Sequence, residues 1–264
     1  MRRRNTPYWK MHTSGSCKQK KNRPEYIMSK FKNIRQNIIS LARYNIRIVF
    51  GGKFIYFILA AFGFFLLLGT IRAFDDNYLG IHDVYGLMIF PAILLVFYPS
   101  AFGIQSDADQ RTLEIIFGIP DYRYKVWLVR ILMVLAIVYV LLFPFAALAH
   151  YALVSIPILA MVSQLMILVL FVSTLGFCVS TLVKNGNATA VIMVILGLVF
   201  LILADELEYS KWNIFLNPFR NPDSINEIVW VETIRQNRII LAISSIVLLL
   251  LGLLNLQNRE KFLR

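Results

Sequence analysis

Enzyme chemistry needs grouped donors, and this chain of 264 residues groups few of them. Its histidines, His12, His82 and His150, are scattered without the spacing of metal ligands. Cys17 and Cys178 form neither a metal-binding pair nor a disulfide framework. There is no H-E-x-x-H, no G-x-S-x-G and no pair of carboxylates inside an apolar run. A nucleotide-binding phosphate loop is also missing: Gly51-Gly52-Lys53 comes nearest, but it follows an amphipathic helix where a strand is needed. The expectation is a protein that is not an enzyme, holds no cofactor or metal, and hydrolyses no nucleotide itself. The residues that can act are concentrated in a charged island, residues 107–125, between two long apolar runs. Leu113, Ile116 and Phe117 stand at i, i+3 and i+4, which puts one apolar face on a short helix. Asp107, Asp109 and Glu114 are expected at or near its N-terminal end, where the helix dipole favours negative charge. Pro120 lacks an N–H and ends it, and Arg123 and Lys125 mark the return to an apolar run. Such a helix reads as a docking element for another protein.

The rest of the chain supplies the frame for that element. Apolar residues make up 58% of it, and the mean hydropathy is +0.64. A soluble chain is roughly 45–50% apolar even with glycine included. The excess lies in runs longer than about 18 residues, the length that crosses a bilayer. The fold class is therefore all-α, a polytopic membrane protein without a soluble core domain. The net charge of +12 is an N-terminal property, because residues 1–53 hold fourteen Lys and Arg against Glu25 alone. Beside a membrane span, such a run places that end in the cytoplasm, and nucleic-acid binding is not expected. Residues 1–27 read as a basic, disordered tail without the apolar stretch of a signal peptide. Met28 opens a cleaner amphipathic sequence, so the tail is expected to be dispensable or to follow from an upstream misassigned start. Residues 28–264 form the transmembrane domain.

That domain opens with a basic amphipathic helix over residues 28–50, with Phe31, Ile34, Ile38 and Leu41 on one face, suited to the headgroup plane. Six spans follow, at about Phe54–Ile71, Val84–Ile104, Val126–Ala149, Pro157–Val183, Ala188–Ala204 and Ile239–Leu254. Pro91, Pro99 and Pro144 lie inside spans, where proline frees a backbone carbonyl. Ser163, Gln164, Ser173, Thr174, Ser180 and Thr181 are the packing groups of the fourth span. The spans read as nearly free of ionisable groups, with His150 and Asp205 at span ends. Residues 205–238 form a second polar region, interleaved with Tyr209, Trp212, Phe215, Phe219 and Trp230 as at a membrane interface. Asp223 or Ser224 is the expected cap of a short helix through Ile225, Ile228 and Val229. The charge pattern puts both termini and residues 107–125 inside, and residues 72–83 and 205–238 outside.

The island resembles the coupling-helix motif of type-2 ABC transporter permeases: an acidic pair, Gly-Thr-Leu-Glu, aliphatics, a small residue, then proline and a basic position. Thr112, Leu113, Glu114, Pro120 and Arg123 match it, Asp107 and Asp109 replace the usual glutamates, and Arg111 replaces glycine. The layout from Met28 onward agrees, with an elbow helix before the first span and an extended external segment between the fifth and sixth. The resemblance implies a permease subunit of an exporter in the cell's inner (plasma) membrane. A second permease copy or paralogue would complete the pathway. A separate cytosolic ABC ATPase subunit would bind and hydrolyse the nucleotide, gripping Leu113, Ile116 and Phe117 in a groove while Glu114 and Arg123 orient the helix by charge. The alternatives from other classes are an ion-coupled carrier or channel subunit without an ATPase, and a membrane-embedded assembly protein.

The topology has a direct test. Single cysteines at Asp76 and Ser210 are expected to react with an impermeant maleimide from outside, and a cysteine at Gln110 only after the inner face is opened. Labelling of Gln110 from outside contradicts this arrangement.

Overall fold

The computed structural model describes residues 54–74, 79–109, 123–183, 185–222 and 225–256, with the backbone alone at residues 73, 106–109 and 123–126. The chain divides into units Met1–Leu41 and Ala42–Arg264, and all the described residues belong to the second. The described residues are helical and contain no strand. The helices are α1 (Phe54–Ala73), α2 (Ile81–Asp109), α3 (Arg123–Ala152), α4 (Ile158–Val183), α5 (Gly186–Glu206) and α6 (Glu227–Asn255). All six are long and apolar enough to cross a membrane, which makes this a multi-pass membrane protein.

Helix α4 is the hub, packed against α2, α3, α5 and α6, while α1 lies mainly on α2. The reason is in its sequence: Ser173, Thr174, Gly176, Ser180 and Thr181 are all buried, and small residues let helix backbones approach closely. A Cβ on Gly176 would stand 2.8 Å from the Cβ of Ser100 in α2, and one on Gly252 of α6 would stand 2.7 Å from the Phe177 ring. The hydroxyls are served locally or across the contact. Ser100 Oγ–H donates to Ser173 Oγ at 3.4 Å, Ser180 Oγ–H to the Ala101 carbonyl at 3.4 Å, and Thr181 Oγ1–H to the Cys178 carbonyl at 2.7 Å. The apolar core joins α1 to α4 through Phe65, Met88, Leu95, Leu142, Met161 and Leu165. Phe65 meets Phe145 edge to face with centroids 5.5 Å apart. The outward faces of α1 and α5 carry exposed Leu, Ile and Val side chains, as lipid-facing surfaces do.

The spans keep to the hydropathy pattern, and their ends differ from it. Asn185 caps α5 by accepting the N–H groups of Asn187 at 3.0 Å and Ala188 at 3.4 Å, so that helix starts two residues before Ala188. The separate short helix expected from Asp223 or Ser224 is replaced by a continuous α6. Asn226 is the cap, its Oδ1 accepting the Ile228 N–H at 3.0 Å, and Asp223 and Ser224 lie outside the described residues. The polar turns from Glu227 to Arg238 stay helical because neighbouring segments supply partners for Asn237 and Arg238. Helix α2 likewise runs unbroken through Pro91 and Pro99 to Asp109. The amphipathic helix expected at 28–50 lies outside the described residues.

Gly176→Val and Gly252→Val are expected to destabilise the bundle by about 1–3 kcal/mol each, the usual range for overpacking. Gly197→Val is the control, since a Cβ there meets nothing within 4 Å. Thermal unfolding in detergent checks the difference, and equal melting temperatures for all three variants would contradict the close α4 contacts.

Candidate functional site

The expected docking residues divide by their place in the chain. Asp107 and Asp109 stand at the C-terminal end of α2, and Arg123 is the first residue of α3. The two aspartates therefore do not open a separate short helix; α2 itself extends through them. Thr112, Leu113, Glu114, Ile116, Phe117 and Pro120 lie outside the described residues. The helices that carry the island on either side are described, and they are tied together.

The tie is Arg130, two turns into α3. The side chain is 7% exposed, and its Nη2–H donates to the Gly103 carbonyl of α2 at 3.1 Å. The guanidinium carbon lies 5.4 Å from the centre of the Trp127 ring one turn earlier. Gly103 leaves just enough room, because a Cβ there would already stand 3.4 Å from Arg130 Nη2. Beside this contact is a cavity of about 20 Å³ lined by Ser100, Gly103, Trp127, Arg130, Ser173 and Phe177. It has room for about one water molecule and is far below the roughly 300 Å³ or more of a small-molecule pocket. The Trp127 Nε1–H is buried and meets no acceptor among the described residues. The same end of the bundle is tied twice more. Gln105 Oε1 accepts the Gly186 N–H at 2.6 Å, and Asn255 Nδ2–H donates to the Thr181 carbonyl at 2.6 Å. Residues 110–122 thus connect two helices whose bases are fixed to each other and to α4 and α5.

The opposite end is closed by residues 207–222, a run of turns with no helix of its own. Four asparagines organise it. Asn213 Nδ2–H donates to the Ala204 carbonyl at 3.2 Å. Asn217 Nδ2–H reaches the His82 carbonyl at the start of α2, at 2.7 Å. Asn237 Nδ2–H, on α6, bonds the carbonyls of Lys211 at 2.9 Å and Asn213 at 2.7 Å. The fourth, Asn226, caps α6. Arg220 pairs with Glu208 and lies over the Tyr209 ring. The hydrogen bond from the Tyr209 hydroxyl to the Glu208 carboxylate, with partial desolvation and that carboxylate's charge, holds the phenol above its ordinary value. Nearby, His150 Nδ1 lies 3.0 Å from both the N and the O of Ile156 and braces the 153–157 turn.

Beneath this cover sits a second buried arginine. Arg238 is 9% exposed. Its Nε–H donates to Gln164 Oε1 of α4 at 2.9 Å. Its Nη2 donates to the Tyr85 hydroxyl oxygen of α2 at 3.4 Å and to the Leu216 carbonyl at 3.1 Å. One side chain thus joins α2, α4, α6 and the covering segment.

Arg130 lies inside the third span and corrects the expectation of spans almost free of ionisable groups, while Arg238 lies buried just before the apolar run of the sixth. Arg130 escaped a reading by hydropathy because a single cation beside a long apolar run leaves the average of the span high. The available signal was its spacing from Trp127, at i and i+3 on one helix face. Arg238 is the last residue of the polar region 205–238, where nothing in the sequence separates it from the exposed charges, and Tyr85 carries no signal at all.

A scan against protein-family models gives no match, and a search of the curated proteins gives none either. The class that fold and composition define is a multi-pass α-helical membrane protein, and the six apolar helices among the described residues are consistent with membrane transport.

Asn237→Ala removes the two bonds from Asn237 to residues 211–213 and leaves the exposed Lys211–Gln236 contact as the remaining tie of that stretch to α6. It is expected to cost about 1–3 kcal/mol, the range for leaving buried backbone carbonyls unsatisfied, and to speed tryptic cleavage after the exposed Lys211. Cleavage at the unchanged rate would show that these bonds do not hold the segment.

Proposed function

We propose that this chain is the membrane-spanning subunit of an ATP-driven exporter of the type-2 ABC permease kind. A separate cytosolic ATPase grips the island between α2 and α3, and a second permease copy or paralogue completes the pathway in the plasma membrane, with both termini cytoplasmic. The observation that carries this reading is the sequence of that island, Thr112-Leu113-Glu114 through Pro120 and Arg123, joining two long helices that Arg130 clamps together. A push on the island reaches α2 and α3 as a pair, and through them α4. That is the mechanical requirement for converting closure of an ATPase dimer into a rearrangement between two states. Leu113, Ile116 and Phe117 fill the ATPase groove in the manner of a helix seated in an apolar cleft.

Buried charge favours comparison with an ion-coupled carrier, since intramembrane ionisable groups mark such pathways. Proton relays in such carriers are built from Asp, Glu and His, however, whereas the two buried charges here are arginines bonded to backbone carbonyls.

Leu113→Asp and Phe117→Ala test the coupling. Truncating an interface anchor commonly costs about 2 kcal/mol or more, roughly thirtyfold in affinity. The aspartate adds an unpaired charge to a desolvated contact and is expected to be the more severe. Association with the ATPase and substrate-stimulated hydrolysis are expected to fall together, with membrane insertion and thermal stability unchanged. Full association and hydrolysis in the Leu113→Asp complex would refute the assignment.

A further inference from the structure

The Arg238 guanidinium is a buried cation whose described partners are all neutral: the Gln164 amide oxygen, the Tyr85 hydroxyl and the Leu216 carbonyl. Its Nη1 is buried and meets no acceptor among the described residues. Three of the described carboxylates at this end of the bundle are engaged elsewhere, and none of the described carboxylates is a partner of Arg238. Asp83 takes His82 and the Gly80 N–H, Glu208 takes Arg220, and Glu232 takes Arg235 and Gln236. A charge removed from water without a carboxylate is costly to keep, and an arginine fork matches a carboxylate or phosphate in geometry as well as charge. The neighbouring side chains add donors of the same sense. Tyr85 accepts from Arg238, which leaves its own O–H to give, and Gln164 accepts through Oε1, which leaves its NH₂ group.

Position narrows the ligand further. Helix α6 has 29 residues, about 43 Å at 1.5 Å per residue, against a hydrocarbon core of roughly 30 Å. Arg238 adjoins the continuous apolar run that starts at Ile239, so it lies near the level where headgroups meet acyl chains. The cover above it is a segment of turns held by side-chain bonds, which parts more readily than a packed helix.

We propose that Arg238, Gln164 and Tyr85 form an anion-recognition site between α2, α4 and α6, for a phosphate or carboxylate group at the membrane interface. As the binding site for cargo, it rests on the transport reading above; as a binding site, it does not.

The test uses purified full-length protein in a neutral detergent, without ATPase, so that failure here leaves the coupling assignment standing and failure of coupling leaves this site standing. Melting temperature is followed with inorganic phosphate, dioleoyl-phosphatidylglycerol or dioleoyl-phosphatidylcholine at constant ionic strength. The anionic additives are expected to raise it by several degrees and the zwitterionic lipid to raise it less. R238M is expected to lose the difference, R238K to keep part of it, and Y85F to weaken apparent affinity at least threefold. Stabilisation by free phosphate assigns the site to a soluble anion, and stabilisation by phosphatidylglycerol alone assigns it to a headgroup. If R238M does not fold, R238K and Y85F carry the comparison. Equal shifts in the wild type, R238K and Y85F, or no preference of the wild type for either anion, would overturn the proposal.

Discussion

The bundle depends on how closely α4 approaches its neighbours. Hydrophobic burial does not drive helices together within lipid, so packing distance and polar contacts must. Ser100 against Gly176 and Phe177 against Gly252 set that distance. The Ser100–Ser173 and Ser180–Ala101 hydrogen bonds hold it in register. Because α4 touches α2, α3, α5 and α6, displacement of any one of these helices disturbs contacts that the others share. This makes the bundle suited to passing a rearrangement from one end to the other.

At each end a buried arginine bridges elements that are distant in sequence. Arg130 ties α3 to α2 below the island, and Arg238 ties α6 to α2, α4 and the covering segment. Each makes a directional hydrogen bond to a backbone carbonyl of another element, Arg130 to Gly103 and Arg238 to Leu216. Helix α2 takes part in both, through Gly103 and Tyr85. It is therefore the element through which events at the island and events beneath residues 207–222 can be coupled, and its two internal prolines lie between those points.

The number and placement of the spans were legible because uncharged runs of Leu, Ile, Val and Phe have few other uses at that length. The buried hydroxyls of α4 were legible for the same reason, since polar groups in an apolar run must face protein. The start of α6 was not, because residues 227–238 are polar enough to read as a loop until Asn213, Gln164 and Tyr85 are seen to satisfy them. Arg238 illustrates the difficulty: it adjoins an apolar run, and only its partners, 22 to 153 residues away, show that it is buried. The proposed docking face rests on the sequence pattern of Leu113, Ile116 and Phe117 alone, since these residues lie outside the described ones.

The account's central claim is that this surface meets an ATPase. The most direct measurement places a photo-crosslinking amino acid at Phe117 in cells and sequences the covalent partner. The account expects one dominant adduct, to a soluble subunit that carries a G-x-x-x-x-G-K-[ST] phosphate loop, and expects it to disappear when Leu113 is also replaced by Asp. Adducts to lipid alone, or to a protein without a nucleotide-binding motif, would contradict it.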